Sequence, residues 1–374
     1  MSLSPFNANN DIVDLGPQSL VTSTWSNNTN DLNVLTGYTS SIQGGDAGMT
    51  SPTSSGMFYI DVYNTVTGSI DAEVQLGIAY GNHVGSGSPD FTNDTGSLGI
   101  GASRVIYGQY RNLVFDNEVD KFKFGNHTPE SIYVINVNRS RYKQKLSPGS
   151  LNLHISGSPT ASCEIVDGTT LPPTIHLTDN SVSKGATPDN PNYDGEHLGG
   201  YYTIVSGSNG SVSGSDGANQ LRILHNGDLI GTSSCYGYFY PHAGIMVLNG
   251  DAFSASFGTV INNGNQTIYN KPHQEFFDRI VGGGTFIVDT EEQINSKYYF
   301  VRARNSEFNY TNNESFTDDD NRILHASMQY NPKVFITTVG LYNNAAELVA
   351  VAKLSQPVAK DFTKEALIRV KLDY

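Results

Sequence analysis

Three places in the chain gather side chains that could do chemistry. Asp194, Glu196 and His197 stand together in the stretch TDNSVSKGATPDNPNYDGEHLGG (178–200). They offer the oxygen and nitrogen donors of an exposed divalent-cation site. Asp318, Asp319 and Asp320 carry the charge of a calcium loop, without its fixed ligand spacing or its distal Glu. The glycines of VGGGT (281–285) lack the Lys-Ser/Thr that a phosphate loop needs. A solvated loop accounts for the first two, and a bulge or loop for the third. The nine His are scattered, with no pair at i, i+4, no H-E-x-x-H zinc pair and no G-x-S-x-G nucleophile elbow. General acid–base work needs two carboxylates in one cleft, and among 36 acids the sequence singles out no pair. The expectation is a non-enzyme with no catalytic, cofactor-binding or metal-binding residue. CYGYFY (235–240) could be an aromatic platform for sugar rings, but such a run is more often core. Cys163 and Cys235 are too few for a disulfide framework and read as free thiols in a reducing compartment.

Any such residues would be positioned by strands. Charged residues make up 16% of the chain, against roughly 25% in an average soluble protein. Tyr and Phe number 21 and 17 and Gly 38, which suits strands joined by tight turns. The net charge is −14, and the first cation in the chain is Arg104. An acidic front end disfavours a nucleic-acid partner or an anionic membrane surface. It serves solubility or docks on a basic partner. The start has neither the basic nor the apolar region of a signal peptide, and no run of 18 apolar residues follows. The expectation is a protein made in a cytoplasm that stays soluble or assembles there, with no membrane insertion.

Residues 1–55 read as loop or extended arm. Period-two alternation predicts strands at 57–63 and 366–372, and further strands are predicted at 70–80, 132–137, 151–155, 298–303, 334–341 and 348–354. The pair 334–341 and 348–354 forms a hairpin through YNNAAE. YYTIV and LRILH read as short strands, and 235–250 as a buried segment. The spacing of Ile106, Tyr110, Leu113 and Val114 predicts a helix over 103–115, capped by Ser103. Arg139, Arg141, Lys143 and Lys145, at spacing two, would line one face of a strand. That face is either a solvated edge or a dock for an acidic neighbour. Residues 178–200 and 206–219 are long aperiodic loops. The fold class is mainly β with few short helices, in β-sandwich-like domains with minor α+β character. Two or three domains are expected: an acidic N-terminal arm or β domain at 1–100, a mixed β domain with long loops at 101–265, and a β-sandwich-like domain at 266–374.

Six segments then carry a resemblance. YYFVRARNSEFNYTNNESF (298–316), NPKVFITTVGLYNNAAELVAVAKLSQPVAKDF (331–362) and EALIRVKLDY (365–374) resemble the closing part of virion structural proteins of contractile-tailed bacteriophages, notably large and cyanobacterial myophages. IYGQYRNLVF (106–115), IYVINVNRSRYKQKLSPGSLNLHI (132–155) and GIMVLNG (244–250) are similar to the same group. The resemblance covers roughly half the chain. It implies a non-enzymatic tail or baseplate component of the virion, assembled in host cytoplasm. Its partners would be other virion proteins and copies of itself in a symmetric ring. The alternatives are a tail protein binding a host glycan, a head or neck accessory protein and, last, a tail-associated glycan hydrolase.

Overall fold

A computed structural model describes residues 5–7, 9–32, 39–40, 59–65, 69–85, 102–125, 127–156, 163–165, 174–182, 197, 199–212, 221–225, 228–233, 236–257, 272–281, 283–310, 315–320 and 322–374. Residues 183–196 (Asp194 and Glu196 among them) and 198 of the expected loop at 178–200, residues 213–219 of that at 206–219, and Met57, Phe58, Cys235 and Gly282 lie outside the described residues, while 178–179, 206–208 and 211–212 are strand rather than loop. Strands β1 (Ile12–Ser23), β2 (Thr39–Ser40), β3 (Tyr59–Tyr63) and β4 (Val74–Asn82) precede helix α1 (Ala102–Phe115). Next come β5 (Ser131–Val137), β6 (Lys145–Leu146), β7 (Asn152–Ser156), β8 (Cys163–Ile165) and β9 (Thr174–Asp179). Then follow β10 (Tyr202–Ser208), β11 (Ser211–Val212), β12 (Leu221–His225), β13 (Asp228–Ser233), β14 (Gly237–Tyr240) and β15 (Ile245–Asn249). Helices α2 (Gly250–Phe257) and α3 (Pro272–Val281) lead to β16 (Thr285–Ile287), β17 (Asp289–Ala303), β18 (Val334–Tyr342), β19 (Leu348–Lys360) and β20 (Ala366–Asp373). The chain is mainly β, as its composition predicts.

It divides into two compact units, Leu20–Glu292 and a smaller one made of Met1–Ser19 with Gln293–Tyr374. The division thus falls elsewhere than near residues 100 and 265. Strands on either side of residue 100 are hydrogen-bonded neighbours, with Ile78 of β4 opposite Ile135 of β5. The first and last stretches share one sheet, in the order β1-β17-β20.

The larger unit is built on an antiparallel sheet in the order β16-β7-β9-β10-β14-β15-β5-β4-β3-β2, with β11 added beside β10. Its central strands are buried on both faces, so they read as continuous apolar runs such as IYVINV and IMVL. Ile132 and Val134 join α1 in one core, while Tyr133 and Ile135 point into the other. Helix α1 sits tightly on β4 at Gly81, where a Cβ would lie 2.8 Å from the backbone nitrogen of Tyr107. On the opposite face α3 touches β3 and β4 near one end of the strand order and β7 and β16 at the other. The sheet therefore curls around α3, and Phe276 stacks on Tyr133 at 5.2 Å between ring centres.

Three local expectations change in this unit. Ser103 is buried and lies inside α1, which starts at Ala102; the buried stripe of α1 centres on Ser103, Tyr107, Tyr110 and Val114, leaving Leu113 half exposed at its margin. The strand expected from Ile70 begins at Val74, because Ile70 lies in a turn closed by Ala72 N–H donating to the Ser69 carbonyl. The basic run does not form one strand face. Arg139–Arg141 is a 3-10 turn in which the Asn138 side chain accepts from the Ser140 N–H, and only Lys145 reaches a strand.

In the smaller unit the sheet β1-β17-β20 faces the two-stranded ribbon β18-β19. Between them lie Val339, Leu341, Ile368 and Val370, with Tyr299, Val301, Ile336, Ala350, Ala352 and Leu354 partly buried around them. This is a small β-sandwich, and the alternation at the C-terminus places Ala366, Ile368 and Val370 inward as expected. Residues 12–23, expected as loop or arm, are a twelve-residue strand whose place is fixed by β17.

Candidate assembly surface

The ribbon β18-β19 carries exposed large apolar side chains at Phe335, Leu348, Val349, Val351 and Val358. Along β19, Ala350, Ala352 and Leu354 turn toward the core, so Val349 and Val351, offset by one, turn away from it. Val349 is 64% exposed and Val351 57%. Phe335 of β18, next to inward-facing Ile336, is 60% exposed. The outward row continues at Gly340, opposite Val351, and Thr338, opposite Lys353. Neither ribbon strand has a further strand partner among the described residues. Unpaired backbone beside exposed Phe and Val is the arrangement proteins normally cover or blunt with charge. Lys353 is the one cation within this row.

The ribbon is held rigidly from below. Lys360, at the end of β19, is almost fully buried. Its ammonium donates to the carbonyls of Asn305 (3.3 Å) and Glu307 and to Asn309 Oδ1 (2.7 Å), which ties residues 305–309 to the strand end. Burial holds this ammonium below the ordinary lysine value. Beyond it, Asp361 accepts from the Thr363 hydroxyl at 2.6 Å and from its N–H at 2.9 Å, which lowers its carboxyl. The hairpin turn is closed by Asn343, whose Oδ1 accepts from the N–H groups of Ala345 and Glu347.

The residues that suggested chemistry are placed otherwise. His197 is packed among aromatic rings: it stacks on Tyr201 at 4.2 Å, and Tyr240 Oη lies 2.8 Å from its Nδ1. Asp318 accepts from the N–H groups of Asp320 (3.1 Å) and Arg322 (2.7 Å), so it closes a turn. Among the described residues no group of three His, Cys, Asp or Glu could hold a metal ion. In VGGGT, Gly284 marks a close approach, because a Cβ there would lie 2.2 Å from the His154 carbonyl oxygen. Tyr236, Tyr238, Phe239 and Tyr240 are all buried, so the aromatic run is core and presents no platform.

Three of the four basic residues find acids within the larger unit, and the fourth, Arg139, lies over the Tyr142 ring. Arg141 pairs with Glu73 at 2.9 Å, Lys143 with Glu292 at 2.5 Å, and buried Lys145 with buried Glu291 at 3.5 Å. The acidic front end is likewise used internally. In the smaller unit Asp14 pairs with Lys297 at 3.3 Å. Its carboxyl is lowered first by the Gly16 N–H and then by that lysine.

Side-chain alternation alone does not reveal the exposed row. The hairpin is predicted correctly, but which of its faces is covered depends on a bulge. Ile336 pairs with Val358 and Thr338 with Lys353, a two-residue step on one strand against five on the other. No helix among the described residues is long and apolar enough to cross a membrane. No protein-family model, curated protein or solved structure matches the chain.

Proposed function

We propose that this chain is a non-enzymatic structural component of a contractile-tailed phage particle, of the tail or baseplate, that works through contacts with itself and with other virion proteins. The observation that carries the assembly part is the exposed row Phe335, Val349 and Val351 on a ribbon with no further strand partner among the described residues. An interface of this kind buries the apolar row and lets a neighbouring strand add to the edge through backbone hydrogen bonds. The virion part rests on the resemblance of 298–316, 331–362 and 365–374, segments that include the ribbon and the strands beneath it.

The test is a mass-spectrometric inventory of purified particles of the encoding phage, separated into heads and tails. The wild-type chain is expected in fixed stoichiometry in the tail fraction. A chain carrying Phe335→Lys and Val351→Lys is expected to fold yet be missing from particles. Absence of the wild-type chain from tails defeats the tail reading. Normal incorporation of the double variant defeats the ribbon as the contact.

A further inference from the structure

The larger unit carries a feature that the assembly reading does not use. Strand register places Asp61 of β3, Gly77 of β4 and Asn136 of β5 side by side across the sheet. They share the face that α1 covers, since Ala79 and Val134, two residues along, pack in the core of that helix. Neighbouring strands stand about 4.8 Å apart, so Asp61 and Asn136 flank a notch about 10 Å across, floored by a residue with no side chain. Neither crowding nor backbone conformation demands glycine there. A Cβ on Gly77 would make ordinary contacts, 3.6 Å from Asp61 Oδ1 and 3.8 Å from the Ile60 carbonyl oxygen, and Gly77 is not among the glycines with positive φ. What the glycine leaves is space.

That space opens into a groove of about 710 Å³, within the roughly 300–1,000 Å³ typical of small-molecule sites. Helix α1 walls one side, with Gln109 exposed on the groove. Tyr59, 42% exposed, offers a ring at one end. At the other end the Arg139 guanidinium lies over the Tyr142 ring, 4.6 Å from its centre. Burial raises the Asp61 carboxyl above the usual carboxylate range, as befits a carboxyl set below the surface.

We propose that this groove binds a short neutral saccharide, seated over Gly77 with its ring against Tyr59 and its hydroxyls bonded to Asp61, Asn136 and Gln109. The lining discriminates between ligand classes. A phosphate ligand needs clustered cations, whereas Arg139 is the one cation among the described residues lining this groove. A purely apolar ligand would leave the half-buried carboxyl and the Asn136 amide without water. An added peptide strand needs a sheet edge, and this groove lies on a sheet face. A sugar has both an apolar ring face and a rim of hydroxyls, which matches an aromatic ring beside carboxylate and amide groups.

The test uses the full chain, fluorescently labelled, on an array of bacterial surface oligosaccharides, with titration of every sugar captured. Capture of at least one neutral oligosaccharide is expected, about tenfold weaker for Tyr59→Ala and lost for Gly77→Val, which fills the notch with a residue suited to a strand. Should Gly77→Val fail to fold, Gln109→Trp fills the groove from the exposed face of α1 and is expected to abolish capture equally. No capture by the wild-type chain, capture confined to acidic sugars, or undiminished capture by the filled variants overturns the proposal. Failure here leaves the ribbon reading standing, because the two use different units and different measurements.

Discussion

The two units handle the same composition in opposite ways. In the larger, a curled sheet is covered on both faces, and residues such as Phe276, Tyr133 and Phe253 are sealed from solvent in one aromatic cluster. In the smaller, two thin sheets enclose four buried aliphatic side chains and leave Phe335, Val349, Val351 and Leu367 in the open. A strand buried on both faces has spent its apolar residues on its own core. A strand buried on one face with apolar residues on the other has some left for a neighbour. The contrast separates a unit covered on both faces from one that leaves an apolar row exposed.

The largest test of the contrast is Phe276→Ala. It empties the centre of the curled sheet and is expected to cost about 3–5 kcal/mol, read as a lowered midpoint in denaturant unfolding of the full chain. Ile368→Ala in the sandwich is expected to cost about 2 kcal/mol, the low end for such a change, because its neighbours Tyr299 and Val301 are already partly wet. An equal or larger loss at Ile368 would reverse the ranking of the two units.

A smaller effect concerns acid. His154 of β7 faces His176 of β9 at 4.0 Å between ring centres. Burial first, and then the His176 charge, lower its pKa, with Asp31 opposing them. A histidine whose folded pKa is depressed binds its proton more readily in the unfolded chain. Its cost to stability therefore appears as pH falls below about 6.5, the ordinary value, and grows until the folded pKa is passed. His154→Leu is expected to lose less thermal stability than wild type between pH 7 and pH 5. An unchanged pH slope would remove this pair from the account. The smallest expected effect on stability is that of Phe335→Lys with Val351→Lys, within about 0.5 kcal/mol per site, although the same pair is expected to abolish incorporation. A large stability loss would mean that the row is structural and not reserved for a neighbour.

Local pattern made the mainly-β class legible, together with the C-terminal hairpin, the strand at 366–372 and the helix at 103–115. The class rests on composition, the hairpin on its YNNAAE turn, and the strand and the helix on side-chain period. What stayed hidden depends on partners distant in sequence. Whether 12–23 is an arm or a strand is decided by β17, almost the whole chain away. The basic run looks like a strand face until Glu73, Glu291 and Glu292 arrive from elsewhere to meet it. The groove left one trace, an isolated Gly77 within a strand pattern, which marks either a bulge or room for something else. Nothing local told these apart; the flanking Asp61 and Asn136 come from two other strands.

The sandwich is split between the beginning and the end of the chain, with the whole larger unit between its parts. This has a consequence in time. A ribosome adding roughly 5–20 residues per second makes β1 first and its partner β17 only after β2 to β16, a wait on the order of tens of seconds. The strand pair with the bare valines is made later still. A half-made chain therefore has no ribbon to offer a neighbouring nascent chain on the same message. Under the proposed function, self-association through Val349 and Val351 waits until the larger unit has been synthesised, so the order of synthesis sets when copies can meet.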